Sequence, residues 1–240
     1  QLLDLLYDAS DGFVDPRLRI WIKPRYVQYP SATEPDVIRE MIGAVSGCTI
    51  SYNGITSISE REPYLHYETL VGDTRPNHML DYDELLFIKA EAAMNGWISG
   101  SAKEYYEAAI RASIGYWHGV DTSGAELPES VIEAYLQNVA YDGTLRCIIE
   151  QKYIALFWCG MEAWNEYRRT GYPELTIGSA TSNDHILPTR FEYPVNTSTT
   201  NPVNYAQAVA RLAESWPGGG DNMRTPVWWS LQAARQSQKP

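Results

Sequence analysis

Three carboxylates, Glu150, Glu162 and Glu166, fall within one segment from Thr144 to Leu175, TLRCIIEQKYIALFWCGMEAWNEYRRTGYPEL. On a helix, Glu162 and Glu166 share a face at i,i+4, where two like charges repel and one pKa can rise. A pair of carboxyl groups with separated pKa values is the minimum equipment of acid–base hydrolysis, provided that the two flank an open cleft. Arg169 follows Glu166 by three residues, the spacing of an ion pair, and that partner favours a structural role. The chain has no G-x-S-x-G, no Cys–His neighbourhood and no H-E-x-x-H. Asp8, Ser10, Asp11 and Asp15 offer oxygen ligands to a cation, but they miss the EF-hand spacing and its closing Glu, so they read as turn and capping residues. Cys48, Cys147 and Cys159 form no zinc pattern with His66, His78, His118 and His185. The expectation is a chain with no catalytic centre, no cofactor and no metal.

Binding chemistry is better represented. The chain has 8 Trp and 17 Tyr against 4 Phe, a bias toward rings that keep a polar handle. Some of these rings fill helix interfaces. Others fall in residues 23–80, a Pro- and Gly-interrupted excursion without sustained period, of the kind that is either functional or disordered. Rings that stack on apolar ligand faces, beside amides and guanidinium groups that bond hydroxyls or carbonyls, make a surface for a sugar or a peptide. Trp21, Tyr26, Tyr29, Tyr52, Asn53, Arg61, Tyr64 and His66 are the ligand-binding candidates.

The elements that position these residues are mostly helices. Thr144 is placed to cap a helix that runs to Gly171, whose freedom to adopt a left-handed conformation ends it. Leu145, Ile148, Ile149, Tyr153 and Leu156 form one stripe; Cys147, Ile154, Trp158 and Met161 widen it, as in a buried central helix. If that helix is continuous, Cys147 and Cys159 lie roughly 18 Å apart, too far to bridge. Asp81 with Glu84 and Ser101 with Glu104 read as capping boxes opening two helices. Those helices, joined by a short turn, resemble a tetratricopeptide-type hairpin. Residues 128–139 and the central helix form a second pair, and 204–212 one more helix. Leu18, Ile20 and Ile22 alternate like a short strand. Trp228-Trp229 reads as a plug that ties down the end of the chain. The Gly218–Gly220 run follows no strand and opens no helix, so it is not a phosphate cradle.

The reading is therefore one region, 1–240, mainly α, with tetratricopeptide-like hairpins, long irregular loops and few short strands. It divides into a strand and loop excursion (1–80), a helical scaffold (81–170) and a loop-rich end (171–240). A formal net charge of -11 argues against nucleic acid and against a polybasic membrane-surface role. No stretch of 18 apolar residues is present to span a membrane. The opening at Gln1 in mid-pattern reads as the later part of a longer protein.

Several ordered motifs resemble those of the SusD/RagB family of nutrient-binding outer-membrane lipoproteins. They are Asp15-Pro16-Arg17-Leu18, the segments LFIKAEAAMNGW (86–97) and YYEAAIRASIGYW (105–117), and residues 149–175 with Glu162-Ala163-Trp164 and Arg168-Arg169-Thr170-Gly171-Tyr172-Pro173. Pro188-Thr189-Arg190-Phe191-Glu192-Tyr193-Pro194, Asn201, Asn204 and Trp228-Trp229 follow in the same order. Val195-Asn196-Thr197 departs from the family, where a Glu usually follows the Tyr-Pro. The resemblance implies a SusD-like surface receptor on the extracellular face of the outer membrane, held by an N-terminal lipid absent from this chain. It implies a SusC-like, TonB-dependent outer-membrane transporter as partner, and oligosaccharide or peptide as ligand. Two other readings stand beside it: an α-helical glycoside hydrolase using Glu162 and Glu166, and a tetratricopeptide-type adaptor for a protein partner.

Overall fold

A computed structural model describes residues 2–8, 13–23, 25–27, 38–40, 64–65, 70, 79–121, 126–177 and 186–231. The chain divides into two units: unit 1 is residues 1–45 and 49–163, and unit 2 is residues 46–48 and 164–240.

In unit 1, α1 (Leu2–Leu6) leads into β1 (Tyr7–Asp8), which pairs antiparallel with β2 (Phe13–Val14). The next turn is helical, α2 (Leu18–Trp21), where alternation predicts a strand. Asp15 is the reason: its Oδ1 accepts the Arg17 amide at 2.8 Å and its carbonyl accepts the Leu18 amide, winding the chain before extension can start. Only Ile22 of the alternating run is extended, in β3 (Ile22–Lys23). Two more antiparallel pairs join β3 to β6 (Tyr64–Leu65), and β4 (Arg25–Val27) to β5 (Ile38–Glu40).

The scaffold is a helical hairpin, α3 (Tyr82–Met94) packed along α4 (Ala102–Val120), followed by α5 (Glu129–Asn138) and α6 (Leu145–Ala155). Ser101 caps α4 by accepting the Glu104 amide, as the sequence predicts. The Asp81–Glu84 box does not form. Glu84 instead pairs at 3.3 Å with buried Lys152 of α6, a desolvated cation that needs the carboxylate more than an exposed helix end does. The second helix pair is also arranged differently: α6 packs chiefly against α3, while α5 lies on α4.

The expected long central helix is two helices. α6 stops at Ala155, and α7 (Gly160–Thr170) begins after a turn in which Trp158 takes φ 78°. A left-handed non-glycine residue costs about 1–2 kcal/mol. Phe157 offsets that cost by stacking on Trp21 at 4.2 Å and meeting Trp117 edge-on. Cys147 on α6 and Cys159 in the turn before α7 are thiols, and Cys48 lies outside the described residues. At the start of α6 the Thr144 hydroxyl accepts the Cys147 amide at 3.2 Å. Thr144→Ala is expected to lower stability by about 1 kcal/mol, read as a shift of the denaturant midpoint at constant slope.

One core cluster joins Leu86, Phe87 and Ala90 of α3 to Tyr106, Ile110 and Ile114 of α4, with Tyr135 and Ile148. A second gathers Leu6, Leu18, Ile20, Trp21, Leu70, Trp117 and Ile154. In unit 2 the later part of α7 is followed by α8 (Thr197–Thr200), α9 (Pro202–Ser215) and a 3-10 turn at Trp228–Ser230. Gly171, at φ 81°, ends α7 as predicted. The glycine run turns against the end of α9: a Cβ on Gly219 would sit 2.3 Å from the Leu212 carbonyl oxygen. Close approach, not anion binding, requires glycine there. Among the described residues no helix is long and apolar enough to cross a membrane.

Candidate functional site

Unit 1 holds a polar network that resembles a site but is closed. Arg17 is fully buried and donates to both oxygens of Asp15, to the Ser113 hydroxyl at 3.0 Å and to the Tyr135 hydroxyl at 3.0 Å. The Tyr135 hydroxyl in turn donates to Asp15 Oδ2 at 2.6 Å, with Gln151 Oε1 3.0 Å from the same hydroxyl. Ser113 also bonds Asp83, whose carboxyl is pushed above its ordinary value mainly by burial. Burial works against the Arg17 charge, yet Asp15 and Tyr135 outweigh it and hold the guanidinium above its usual pKa. Every partner is internal, so this network fastens β2 and α2 to α4, α5 and α6 and offers nothing to a ligand. Beside it a void of about 10 Å³ faces Asp83, Glu84, Lys152 and Cys159, room for no more than a water. Burial, then the acidic Asp81, Glu84, Asp83 and Glu162, push the Cys159 thiol above its ordinary pKa, so it is a poor nucleophile.

A wider cleft of about 350 Å³ lies between Val14, Arg19, His118, Glu126 and Val131. Its charges are mixed in sign and its walls carry no Trp, Tyr or Phe, so it lacks the broad stacking face that a sugar uses.

The open aromatic surface is in unit 2. Trp164 and Arg168 lie at i,i+4 on one face of α7. The Arg168 guanidinium lies over two rings, 3.6 Å from the centroid of Trp164 and 4.7 Å from that of Trp229. It donates to the Thr189 carbonyl at 3.2 Å and to Asn165 Oδ1. Arg168 Nε is buried with no hydrogen-bond partner, and burial lowers the pKa of the group from the ordinary arginine value. Trp164 donates Nε1–H to the Pro188 carbonyl at 2.9 Å and meets Phe191 edge-on at 4.9 Å. Four planar groups thus follow one another as Phe191, Trp164, Arg168 and Trp229, with Trp228 next to the last. Phe191 is 67% exposed and Trp228 83%.

The same loop, residues 188–194, supplies a second station. Arg190 pairs with Asp221 at 2.9 Å and lies 4.9 Å from the Tyr193 centroid. Asp221 also accepts the Tyr193 amide at 2.9 Å and the Tyr205 hydroxyl at 3.0 Å. Burial raises the Asp221 pKa, but these donors prevail and hold it below the usual carboxylate value. The loop is therefore pinned by charge-assisted bonds while its aromatic side chains face solvent.

These positions change the sequence-based reading. Trp21 is not a ligand contact: it is 0% exposed, stacked on Phe157 and edge-on to Trp117, because α2 turns it into the core. Trp228 is not a plug, and Trp229 is fixed through Arg168. Tyr26 is opposite Arg39 in the β4–β5 pair, and Tyr64 opposite Lys23 in the β3–β6 pair. Tyr29, Tyr52, Asn53, Arg61 and His66 lie outside the described residues. Glu166 pairs with Arg169 at 2.8 Å, as its spacing predicts. Sequence reasoning passed over Trp164 and Phe191 because nothing local shows that residues 191 and 229 join the pair at 164 and 168.

Comparison with known proteins identifies the class. The SusD-like model described as "Starch-binding associating with outer membrane" matches residues 4–194, so the chain belongs to this SusD-like family. Among solved structures, a chitin-binding protein is 26% identical with a TM-score of 0.68, over 90% of this chain and 47% of its own. A SusD homolog from Bacteroides fragilis is 28% identical with a TM-score of 0.66, over 90% and 48%. Another SusD homolog from that organism is 34% identical with a TM-score of 0.52, over 64% of this chain and 35% of its own. The chain thus spans about half or less of the length of these relatives. No curated protein matches.

Proposed function

We propose that this chain binds oligosaccharide nutrients outside the outer membrane and hands them to a TonB-dependent transporter without breaking bonds. The Phe191–Trp164–Arg168–Trp229 ladder, open to solvent beside Trp228, carries the reading. A pyranose ring presents a face of C–H groups that stacks on an exposed ring, while its equatorial hydroxyls bond planar donors at the edge. A family described as starch-binding and a similar chitin-binding protein support a glycan over a peptide. Tyr26, Tyr29, Tyr52, Asn53, Arg61, Tyr64 and His66 are proposed as further sugar contacts, each to be tested by substitution. A lipid anchor and the extracellular face belong to the same proposal.

The test is titration calorimetry with maltooligosaccharides, chitooligosaccharides and peptides, with product analysis of the same mixtures. Saturable binding of one oligosaccharide class, recovered uncleaved, is the expected outcome. Peptide binding alone would contradict the reading. Cleavage that disappears in Glu162→Gln or Glu166→Gln would replace it by the hydrolase. Isolation of the protein from outer membranes together with a TonB-dependent transporter tests delivery.

A further inference from the structure

Unit 1 has a polar opening of its own where the end of α5 turns into α6. A cleft of about 370 Å³ lies there, closed on one side by Tyr106 of α4. Small-molecule sites begin at about 300 Å³. One wall is a face of α6 with two i,i+4 rows, Arg146 with Glu150 and Cys147 with Gln151. Gln151 is 6% exposed, and its Oε1 accepts from the Tyr135 hydroxyl at 3.0 Å and from Arg17 at 3.4 Å. A guanidinium only donates, so the oxygen is the inward atom and Nε2 is left for the cleft. Among the described residues that nitrogen meets no acceptor. A donor fixed from behind in this way has little freedom left to lose when a ligand arrives. Asn138, at the end of α5, adds a second carboxamide with no bond of its own among the described residues. Acceptors are fixed as well: Asp142 Oδ1 takes the Thr144 amide at 2.9 Å and its hydroxyl at 2.7 Å, and Glu150 Oε1 takes Arg146 Nε at 2.7 Å.

We propose that this cleft binds a neutral, polyhydroxylated ligand, a single sugar unit, by its hydroxyl edge. The lining mixes fixed donors with fixed acceptors, and a hydroxyl both donates and accepts. An anion would meet Asp142 and Glu150, and an apolar ligand would strand the polar wall without partners. Tyr106 is 1% exposed and offers no open face, so recognition runs through hydrogen bonds and not through stacking as at the ladder. The cleft belongs to unit 1, and the inference does not rest on the glycan reading of unit 2.

The test uses the protein produced from its own gene, with D-glucose and N-acetyl-D-glucosamine as probes and glycylglycine as a peptide control. Saturation-transfer NMR reports binding. Cys147 reports its place: N-ethylmaleimide addition to that thiol is followed by peptide mass spectrometry with and without each probe. One sugar is expected to slow Cys147 several-fold, to leave Cys159 at its own rate, and to act equally in Trp228→Ala. Asn138→Ala weakens that binding about threefold to tenfold, the worth of one neutral hydrogen bond, with the Tm unchanged. Gln151→Glu keeps the acceptor that Arg17 uses but removes the donor, and weakens binding similarly; if it does not fold, Asn138→Ala decides. Equal protection of Cys159, protection by glycylglycine alone, or undiminished sugar binding in Asn138→Ala would each overturn the proposal. So would a reactive Cys147 that neither sugar protects. Protection that vanishes in Trp228→Ala would assign the sugar to the ladder, overturning this site and leaving the glycan reading in place. If Cys147 proves unreactive, saturation transfer in Trp228→Ala that is absent, or that survives addition of Asn138→Ala, overturns it too.

Discussion

Arg17→Met lowers the unfolding free energy of the chain by about 3–5 kcal/mol, the cost of removing one partner from a buried ion pair. The size follows from what is stranded. Asp15 is 0% exposed and loses the guanidinium that meets both of its oxygens, while the Ser113 and Tyr135 hydroxyls lose a donor. A domain stable by 5–15 kcal/mol retains little after such a loss. Asp15→Asn added to Arg17→Met recovers part of the stability, because the uncompensated charge is gone. Urea denaturation of both variants at one pH checks this. A loss below about 1 kcal/mol for Arg17→Met, the worth of a surface ion pair, would show that the network holds nothing together.

Trp228→Ala is expected to weaken oligosaccharide binding by about tenfold to thirtyfold, or ~1.4–2 kcal/mol, with the Tm unchanged. At 83% exposure the ring has little packing to lose, so its removal reads out the ligand and not the fold. Phe191→Ala behaves similarly at the other end of the ladder. Arg168→Ala differs in kind: it removes the plate between Trp164 and Trp229, and both stability and binding fall together. Calorimetric titration beside thermal melts separates the two behaviours. If Trp228→Ala and Phe191→Ala both bind as the parent does, the ligand surface lies elsewhere in the chain.

The predictions that succeed from sequence rest on interactions between residues close in the chain. Thr144 and Ser101 cap their helices because a hydroxyl at that position meets an amide three residues on, whatever surrounds it. Gly171 ends α7 because a left-handed residue there costs glycine little. The Glu166–Arg169 pair needs only a helix. The α3–α4 hairpin follows from two apolar periods and a short turn.

Failures arise where a distant residue outbids a local preference. Glu84 leaves its capping box because Lys152, far along the chain, is buried and needs a counterion. The 144–171 helix breaks at Trp158 because Phe157 is drawn to Trp21 and Trp117. Trp21 is a core residue for the same reason, although its composition-level chemistry suits a ligand surface.

By itself the sequence determined the helix caps at Ser101 and Thr144, the stop at Gly171, the mainly α class and the SusD-like family, since local geometry and ordered motifs are written along one dimension. Tertiary structure alone decided that Arg17 is sealed among five polar groups, and that Phe191, Trp164, Arg168 and Trp229 form one ladder. Stacking between groups as far apart as Arg168 and Trp229 depends on where the backbone carries them, and no local spacing encodes that.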